Sequence, residues 1–196
     1  MTTCDHGGCF YVNRSTLNIT NDDEEKLFFG ALESEDPENP VDVAALANTS
    51  GASGGVVYAT TNTVISVKNT VFAYNTAYSF GGAICANPNA GTCELTTENV
   101  QFIGNQVTRK NSENYGGGAV SAMAAATWTD TGSTFTGNST QSFGGAVFAS
   151  DTAAINLSGT AFTQNSATYD GGAIYAKGTA TVTGSNATFN GNASRL

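Results

Sequence analysis

Apolar residues recur at fixed positions in five successive segments of this chain, and a pair of glycines opens each segment. An aliphatic residue stands three positions after the first glycine and an alanine stands five positions after it, while the residue between them varies. This alternation predicts a short β-strand with one buried face. The glycine pairs begin at Gly54, Gly81, Gly117, Gly144 and Gly171. The aliphatic column contains Val57, Ile84, Val120, Val147 and Ile174.

Three further columns follow the glycine pairs. Eleven positions after each pair, allowing for one three-residue insert, stand the apolar residues Ile65, Leu95, Trp128, Ile155 and Val182. A Phe-x-x-Asn motif then closes every segment. Its first column contains Phe72, Phe102, Phe135, Phe162 and Phe189. Its second column contains Asn75, Asn105, Asn138, Asn165 and Asn192.

The segments repeat regularly, because three of the four steps from one glycine pair to the next are 27 residues long. Self-similarity at such a period is typical of a solenoid. We therefore predict an all-β fold, a right-handed parallel β-helix with three short strands in each coil of about 27 residues and about five regular coils. Extra residues between Cys85 and Cys93, and between Gln106 and Asn114, predict two loops at corners of the coil.

Residues 1–53 differ from the regular repeats of residues 54–196, although both are expected to form a single domain. A glycine pair at Gly7 and the apolar pattern up to Thr20 predict a degenerate first coil. Residues 22–42 contain nine of the sixteen acidic residues, and we interpret them as an inserted or capping segment, with a short helix over 41–47. A calcium site there is not favoured, because no Asp-x-Asp-x-Asp-Gly spacing is present.

The recurring Gly, Phe and Asn residues have structural explanations. Glycine adopts the backbone angles that a sharp corner requires. Stacked phenylalanines would each contribute about 2–3 kcal/mol by burial, and a stacked ring pair adds about 1 kcal/mol. Asparagine tolerates unusual turn geometry, and its amide both donates and accepts hydrogen bonds. We therefore expect ladders of identical side chains along the axis, and no catalytic role for them.

Composition excludes several classes of function. Charged residues make up 12% of the chain, and the net charge of −9 comes mostly from the acidic segment. With seven Lys and Arg residues, the chain is not expected to bind nucleic acid. No apolar run approaches the length of a membrane span, so membrane insertion is not expected either. Neutral, hydroxyl-rich faces are typical of secreted repeat proteins, which predicts an extracellular or cell-surface location.

The four cysteines form two close pairs in the sequence, Cys4 with Cys9 and Cys85 with Cys93. A disulfide between Cys85 and Cys93 would close the base of the inserted loop and would imply an oxidising compartment. Cys4 and Cys9 are the other disulfide candidates. A zinc site made of these two thiols and His6 is not favoured, because a tetrahedral site needs a fourth ligand. We expect no metal and no cofactor.

Seven Asn-x-Ser/Thr sequons are present, and they permit N-glycosylation if the source is a eukaryote. Two of them, Asn138 and Asn192, belong to the asparagine column and are expected to be too buried for modification. The remaining candidates are Asn13, Asn18, Asn48, Asn156 and Asn186.

The pairing of Gly-Gly-Ala-Ile/Val with Phe-x-x-Asn closely resembles the repeats of the chlamydial polymorphic membrane proteins. The resemblance extends over five repeats, from Gly54 to Asn192. Members of that family are surface autotransporters whose passenger regions are β-helices implicated in host-cell adhesion. The resemblance therefore implies a passenger-like module with adhesion as its role.

The sequence is compatible with three functions. The first is a non-enzymatic surface module that adheres or acts as a spacer, with a protein or glycan partner. Tyr58, Phe148 and Tyr175 share one position of the repeat and would form either a contact stripe for that partner or an ordinary stack on a strand face. The second is a filament subunit that stacks end to end with its own copies. The third, a polysaccharide lyase or glycosidase, rests on fold analogy. We do not favour an enzyme, because the repeats lack clustered carboxylates and His6 lies far from them.

Overall fold

The computed structural model describes residues 4–21, 26–30, 47–110 and 115–195, with the backbone but not the side chains of Cys4 and Asp5. Every regular element in these ranges is a β-strand, and the strands form four parallel sheets. Each coil contributes one strand to each sheet in turn. The prediction of an all-β parallel solenoid is therefore confirmed.

Sheet A has seven strands and carries the shortest elements of the fold. Its strands are β1 (Cys4–His6), β5 (Thr49–Ser53), β9 (Thr76–Ala77), β13 (Gln106–Val107), β17 (Ser139–Thr140), β21 (Ser166–Ala167) and β25 (Ala193–Ser194). Sheet B has six strands. They are β2 (Phe10–Val12), β6 (Val57–Ala59), β10 (Ile84–Ala86), β14 (Val120–Ala122), β18 (Val147–Ala149) and β22 (Ile174–Ala176).

The remaining two sheets, C and D, have six strands each. Sheet C contains β3 (Thr16–Thr20), β7 (Thr63–Lys68), β11 (Cys93–Glu98), β15 (Ala126–Thr131), β19 (Ala154–Ser158) and β23 (Thr181–Ser185). Sheet D contains β4 (Leu27–Gly30), β8 (Thr70–Ala73), β12 (Gln101–Ile103), β16 (Thr134–Thr136), β20 (Ala161–Thr163) and β24 (Thr188–Asn190).

The coil thus has four strands where the sequence predicts three. The additional strand is the one in sheet A, which in the regular coils begins directly after the Asn of Phe-x-x-Asn and is two residues long. Two residues are too few to produce an alternating pattern, so periodicity could not reveal this strand.

The first coil is built like the others. Its strands β1–β4 extend all four sheets, and β4 lies within the segment that the sequence analysis interprets as an acidic insertion. The rest of that insertion, residues 22–25 and 31–42, lies outside the described residues. The predicted helix over 41–47 also lies outside them, apart from Ala47.

The phenylalanine column forms the predicted ladder inside the solenoid. Successive rings from Phe72 to Phe189 stack with centroids 4.5–5.3 Å apart and ring planes within 16° of each other. Phe29 extends the stack into the first coil, 5.5 Å from Phe72. Phe29 is not among the predicted ladder residues, because no Asn stands three residues after it.

The asparagine column forms a second ladder at the corner between sheets D and A. Asn105 donates from its backbone N–H and from Nδ2 to Oδ1 of Asn138, at 2.9 and 3.0 Å. Its Nδ2 also donates to the carbonyl oxygen of Phe72 at 2.8 Å. Asn48 continues the ladder before Asn75, although the sequence marks it only as a sequon. These hydrogen bonds join the asparagine corners of successive coils, and their contribution to stability stays a prediction.

Candidate binding surface

The acidic residues that the structure describes in the repeats do not converge on one site. Glu98 forms an ion pair with Lys68 at 3.3 Å on sheet C. Asp151 lies at the corner between sheets B and C, where it accepts a hydrogen bond from Ser150 Oγ at 2.7 Å. Asp170 is exposed at the corner before sheet B. Among the described residues, no group of three or more His, Cys, Asp or Glu side chains is placed to hold a metal ion.

Asp130 is completely buried and faces the interior of the solenoid from β15. The hydroxyls of Thr97 and Thr160, one coil on either side, donate to its two carboxylate oxygens. Trp128 donates from Nε1 to Thr97 Oγ1 at 2.8 Å. The carboxylate therefore connects three successive coils instead of facing a substrate, and the sequence offered no sign of this role.

The predicted contact stripe is wrong for two of its three residues. Tyr58 and Phe148 point outward from sheet B, but they are 7% and 1% exposed, and Tyr175 is half-buried beside them. Burial raises the pKa of Tyr58 to about 12, with the nearby Cys85 thiol as a secondary cause. These side chains form a second, outer hydrophobic cluster and are not available as a binding stripe.

Aromatic residues just before the glycine pairs cover this outer cluster. Phe143 packs 4.6 Å from Tyr175 and 5.3 Å from Tyr169, measured between ring centroids. Phe80 lies 5.7 Å from Phe148. In each covered coil an aromatic residue stands one or two positions before the first glycine of the pair. This pattern in the sequence could have predicted that the outward aromatic residues are covered.

The structure contradicts the predicted disulfide between Cys85 and Cys93, because both are free thiols. Cys85 points outward from sheet B into the outer cluster, whereas Cys93 faces the central core from sheet C. Thr63 Oγ1 donates to Cys93 Sγ at 3.0 Å. The support that this disulfide lent to an oxidising compartment is therefore removed. The pair of Cys4 and Cys9 involves a side chain outside the described residues.

Alkylation should report the burial of Cys85 and Cys93. Burial raises the pKa of both thiols, so at pH values near 8 their reactive thiolate form is suppressed relative to an ordinary thiol. We expect iodoacetamide to label Cys85 and Cys93 only after denaturation, as measured by peptide mass mapping. Rapid labelling of Cys85 in the folded protein would contradict its burial.

The sequons differ in exposure. The side chains of Asn13, Asn18, Asn156 and Asn186 are exposed. Asn48 is half-buried and donates from Nδ2 to Asn75 Oδ1 at 2.9 Å. Asn138 is completely buried in the asparagine ladder, which leaves no room for a glycan. N-glycosylation of the exposed sequons remains a prediction.

A groove of about 300 Å³ runs along the outer face of sheet A, parallel to the solenoid axis. One rim carries Gln106, Ser139 and Ser166, which are aligned by strand pairing. The other rim carries Gln141, Thr168 and Arg195. The floor is formed by Thr140 and Ala167.

An aromatic and cationic cluster lies beside one end of this groove. Tyr78 follows β9, the strand before the groove, and is 47% exposed. The Cζ atom of Arg109 lies 3.8 Å from the ring centroid of Tyr115 and 5.3 Å from that of Tyr78. Arg109 belongs to the loop that the sequence predicts after Gln106. The sequence analysis therefore located the loop but did not connect it to a binding surface.

A second trough, of about 320 Å³, crosses the outer face of sheet C. It is lined by Thr129, Asn156, Ser158, Thr183 and Ser185, with backbone between them. Unlike the groove on sheet A, whose lining includes Arg195, it has no basic side chain in its lining. Its own hydroxyls are also partly occupied, because Thr183 Oγ1 donates to Asn156 Oδ1 at 2.6 Å. The sheet A groove is the stronger candidate binding surface.

Among the described residues there is no helix with the length and apolarity that a membrane span requires.

Comparison with protein families found one repeat model. Residues 69–87, 132–150 and 159–177 match the Chlamydia polymorphic membrane protein repeat. Each match runs from a strand of sheet D through sheet A to a strand of sheet B, so that it includes Phe-x-x-Asn and the next glycine pair. The resemblance derived from these motifs is thus confirmed at three places. No curated protein and no solved structure matches the chain.

Proposed function

We propose that this chain is a non-enzymatic module exposed at the cell surface or outside the cell, which binds a partner through its lateral faces. The observation that carries the proposal is the set of three matches to a surface-protein repeat on a regular parallel solenoid. Low charge on the repeats supports it, as does the absence of convergent ionisable groups among the described residues. Adhesion is the role we assign to it.

A bead assay tests this proposal. Fluorescent beads coated with the purified protein should adhere to cultured epithelial cells, whereas beads coated with an unrelated acidic protein should not. The protein should also release no reducing ends from a panel of acidic and neutral polysaccharides. Polysaccharide cleavage would establish an enzyme and overturn the proposal. Beads that bind neither cells nor isolated surface components would leave a spacer role in its place.

End-to-end stacking into a filament remains a separate prediction. Phe189, in the last strand of sheet D, is 57% exposed and could stack on an additional ring. Analytical ultracentrifugation at rising protein concentration should show progressive linear association if this stacking occurs. A constant monomer mass over the same range would contradict it.

A further inference from the structure

We propose that the groove on the outer face of sheet A binds a carboxylate-bearing oligosaccharide, with Tyr78 and Arg109 holding its acidic end. This inference rests on the proposed surface function and names the class of ligand.

The elongated form of the groove suits an extended ligand. Its two rims run across β13, β17, β21 and the segment after β25, so it spans four coils. Adjacent parallel strands lie about 4.8 Å apart, which gives the groove a length of roughly 14 Å. A linear oligosaccharide of a few sugars fits such a groove along its length.

The rim side chains are available to a ligand. Gln106 and Gln141 each carry an amide that donates and accepts, and neither amide is hydrogen-bonded within the described part of the chain. Ser139 and Ser166 present hydroxyls from the same rim and are likewise unpaired there. Sugar hydroxyls also donate and accept, so this lining matches a carbohydrate better than it matches an apolar ligand.

Arg109 is preorganised for a carboxylate. The guanidinium group lies over the rings of Tyr115 and Tyr78, and Arg109 makes no ion pair within the described residues. A guanidinium edge binds a carboxylate through two parallel hydrogen bonds. Tyr78 is sufficiently exposed to stack on the apolar face of a sugar ring. Arg195 places a second cation at the other end of the groove.

The few positive charges near the groove favour a carbohydrate that carries few negative charges. Arg195 lies in the lining of the groove at one end, and Arg109 lies beside the other end. A densely sulfated polymer would meet neutral amides and hydroxyls between these two cations, so most of its charges would find no partner. A chain in which acidic sugars alternate with neutral ones matches this distribution.

An acidic peptide matches the groove less well. Extended peptides commonly bind at the open edge of a sheet and place side chains in pockets. This groove lies on the face of sheet A, where the neighbouring strands already pair with each other. Its lining is hydroxyl and amide, and Ala167 is the apolar residue in it.

Isothermal titration calorimetry with hyaluronan oligosaccharides tests the proposal, because this polymer carries one carboxylate on every second sugar. We expect measurable binding at low salt that weakens as salt is added. Tyr78→Ala and Arg109→Gln should each reduce affinity about tenfold, equivalent to about 1.4 kcal/mol. Neutral dextran should not bind, and heparin should bind no more tightly than hyaluronan.

Two matched variants control for the loss of a positive charge and of an exposed tyrosine elsewhere on the protein. Lys68→Gln removes a positive charge from sheet C, and Tyr11→Ala removes a tyrosine that is 58% exposed. Both should bind hyaluronan like the unmodified protein. Thermal melts of these two controls and of the Tyr78→Ala and Arg109→Gln variants check that all four remain folded. Arg109→Lys serves as a second probe of the arginine, since it keeps the charge but loses the bidentate geometry.

Several results would overturn the groove assignment. These are no binding of hyaluronan, equal losses in the control variants, tighter binding of heparin, or tighter binding of polyglutamate than of hyaluronan. The bead assay separates this failure from that of the surface function. Adhesion of coated beads without hyaluronan binding refutes the groove and leaves the surface role intact, whereas failure of adhesion with hyaluronan binding refutes the adhesive role alone.

Discussion

Replacing Gly145 with alanine is expected to destabilise the folded state strongly. A Cβ atom at this position would lie 2.0 Å from the carbonyl oxygen of Gly172 and 2.6 Å from the backbone nitrogen of Ser166. Both atoms belong to the backbone of the next coil, which cannot rotate away as a flexible side chain would. The coils would have to separate and break their strand pairing. We expect a loss of at least about 4 kcal/mol, a large part of the stability of a typical domain.

Gly137→Ala is the matched control. Gly137 has a positive φ of 64°, but no other atom lies within 4 Å of the position that its Cβ would take. Its cost is therefore the backbone strain alone, about 1–2 kcal/mol. Urea denaturation followed by circular dichroism measures both variants. Equal stability losses at the two positions would show that close contact between coils is not the reason for the glycine at position 145.

The substitution Asn138→Asp is expected to be the second most damaging, at about 3–5 kcal/mol. The side chain of Asn138 is completely buried. Its Nδ2 donates to the carbonyl oxygen of Phe102 at 2.9 Å and to Oδ1 of Asn165 at 2.9 Å. An ionised aspartate keeps the shape but loses both donors. It also places a negative charge opposite two acceptor oxygens in a buried ladder.

Asn190→Asp tests whether burial is the cause. Asn190 is exposed on β24, and its backbone carbonyl, not its side chain, accepts a hydrogen bond from Gln164 N–H at 2.9 Å. We expect its free energy of unfolding to change by less than about 0.5 kcal/mol. Chemical denaturation of both variants under identical conditions gives the comparison. An Asn138→Asp protein as stable as Asn190→Asp would refute the structural role of the ladder.

The repeated columns could be predicted because they combine residue type with exact spacing. Phe72 and Phe102 stand at equivalent places in successive coils, so a solenoid necessarily brings them together. The same holds for Asn75 and Asn105. Here a purely local pattern, copied at a regular interval, determines a contact between residues that are distant in the sequence.

The binding surface was less predictable from the sequence. The alternation of apolar and variable positions along a strand indicates which way a side chain points, but it does not indicate what covers that side chain. Tyr58 and Phe148 point outward as expected, yet loop aromatics such as Phe80 bury them. Cys85 and Cys93 are close in sequence, but they lie on different faces of their strands. Tyr78 and Arg109 come together only because two successive coils stack in register.

By itself, the sequence determined the solenoid, its ladders and the corners at which extra residues are inserted. It could do so because each coil repeats the same short-range preferences for turn and strand. The tertiary structure decided the fourth strand of the coil, the interior position of Asp130, the outer aromatic cluster and the groove on sheet A. These features depend on which side chains of neighbouring coils meet, and that is set by the stacking of coils rather than by any single repeat.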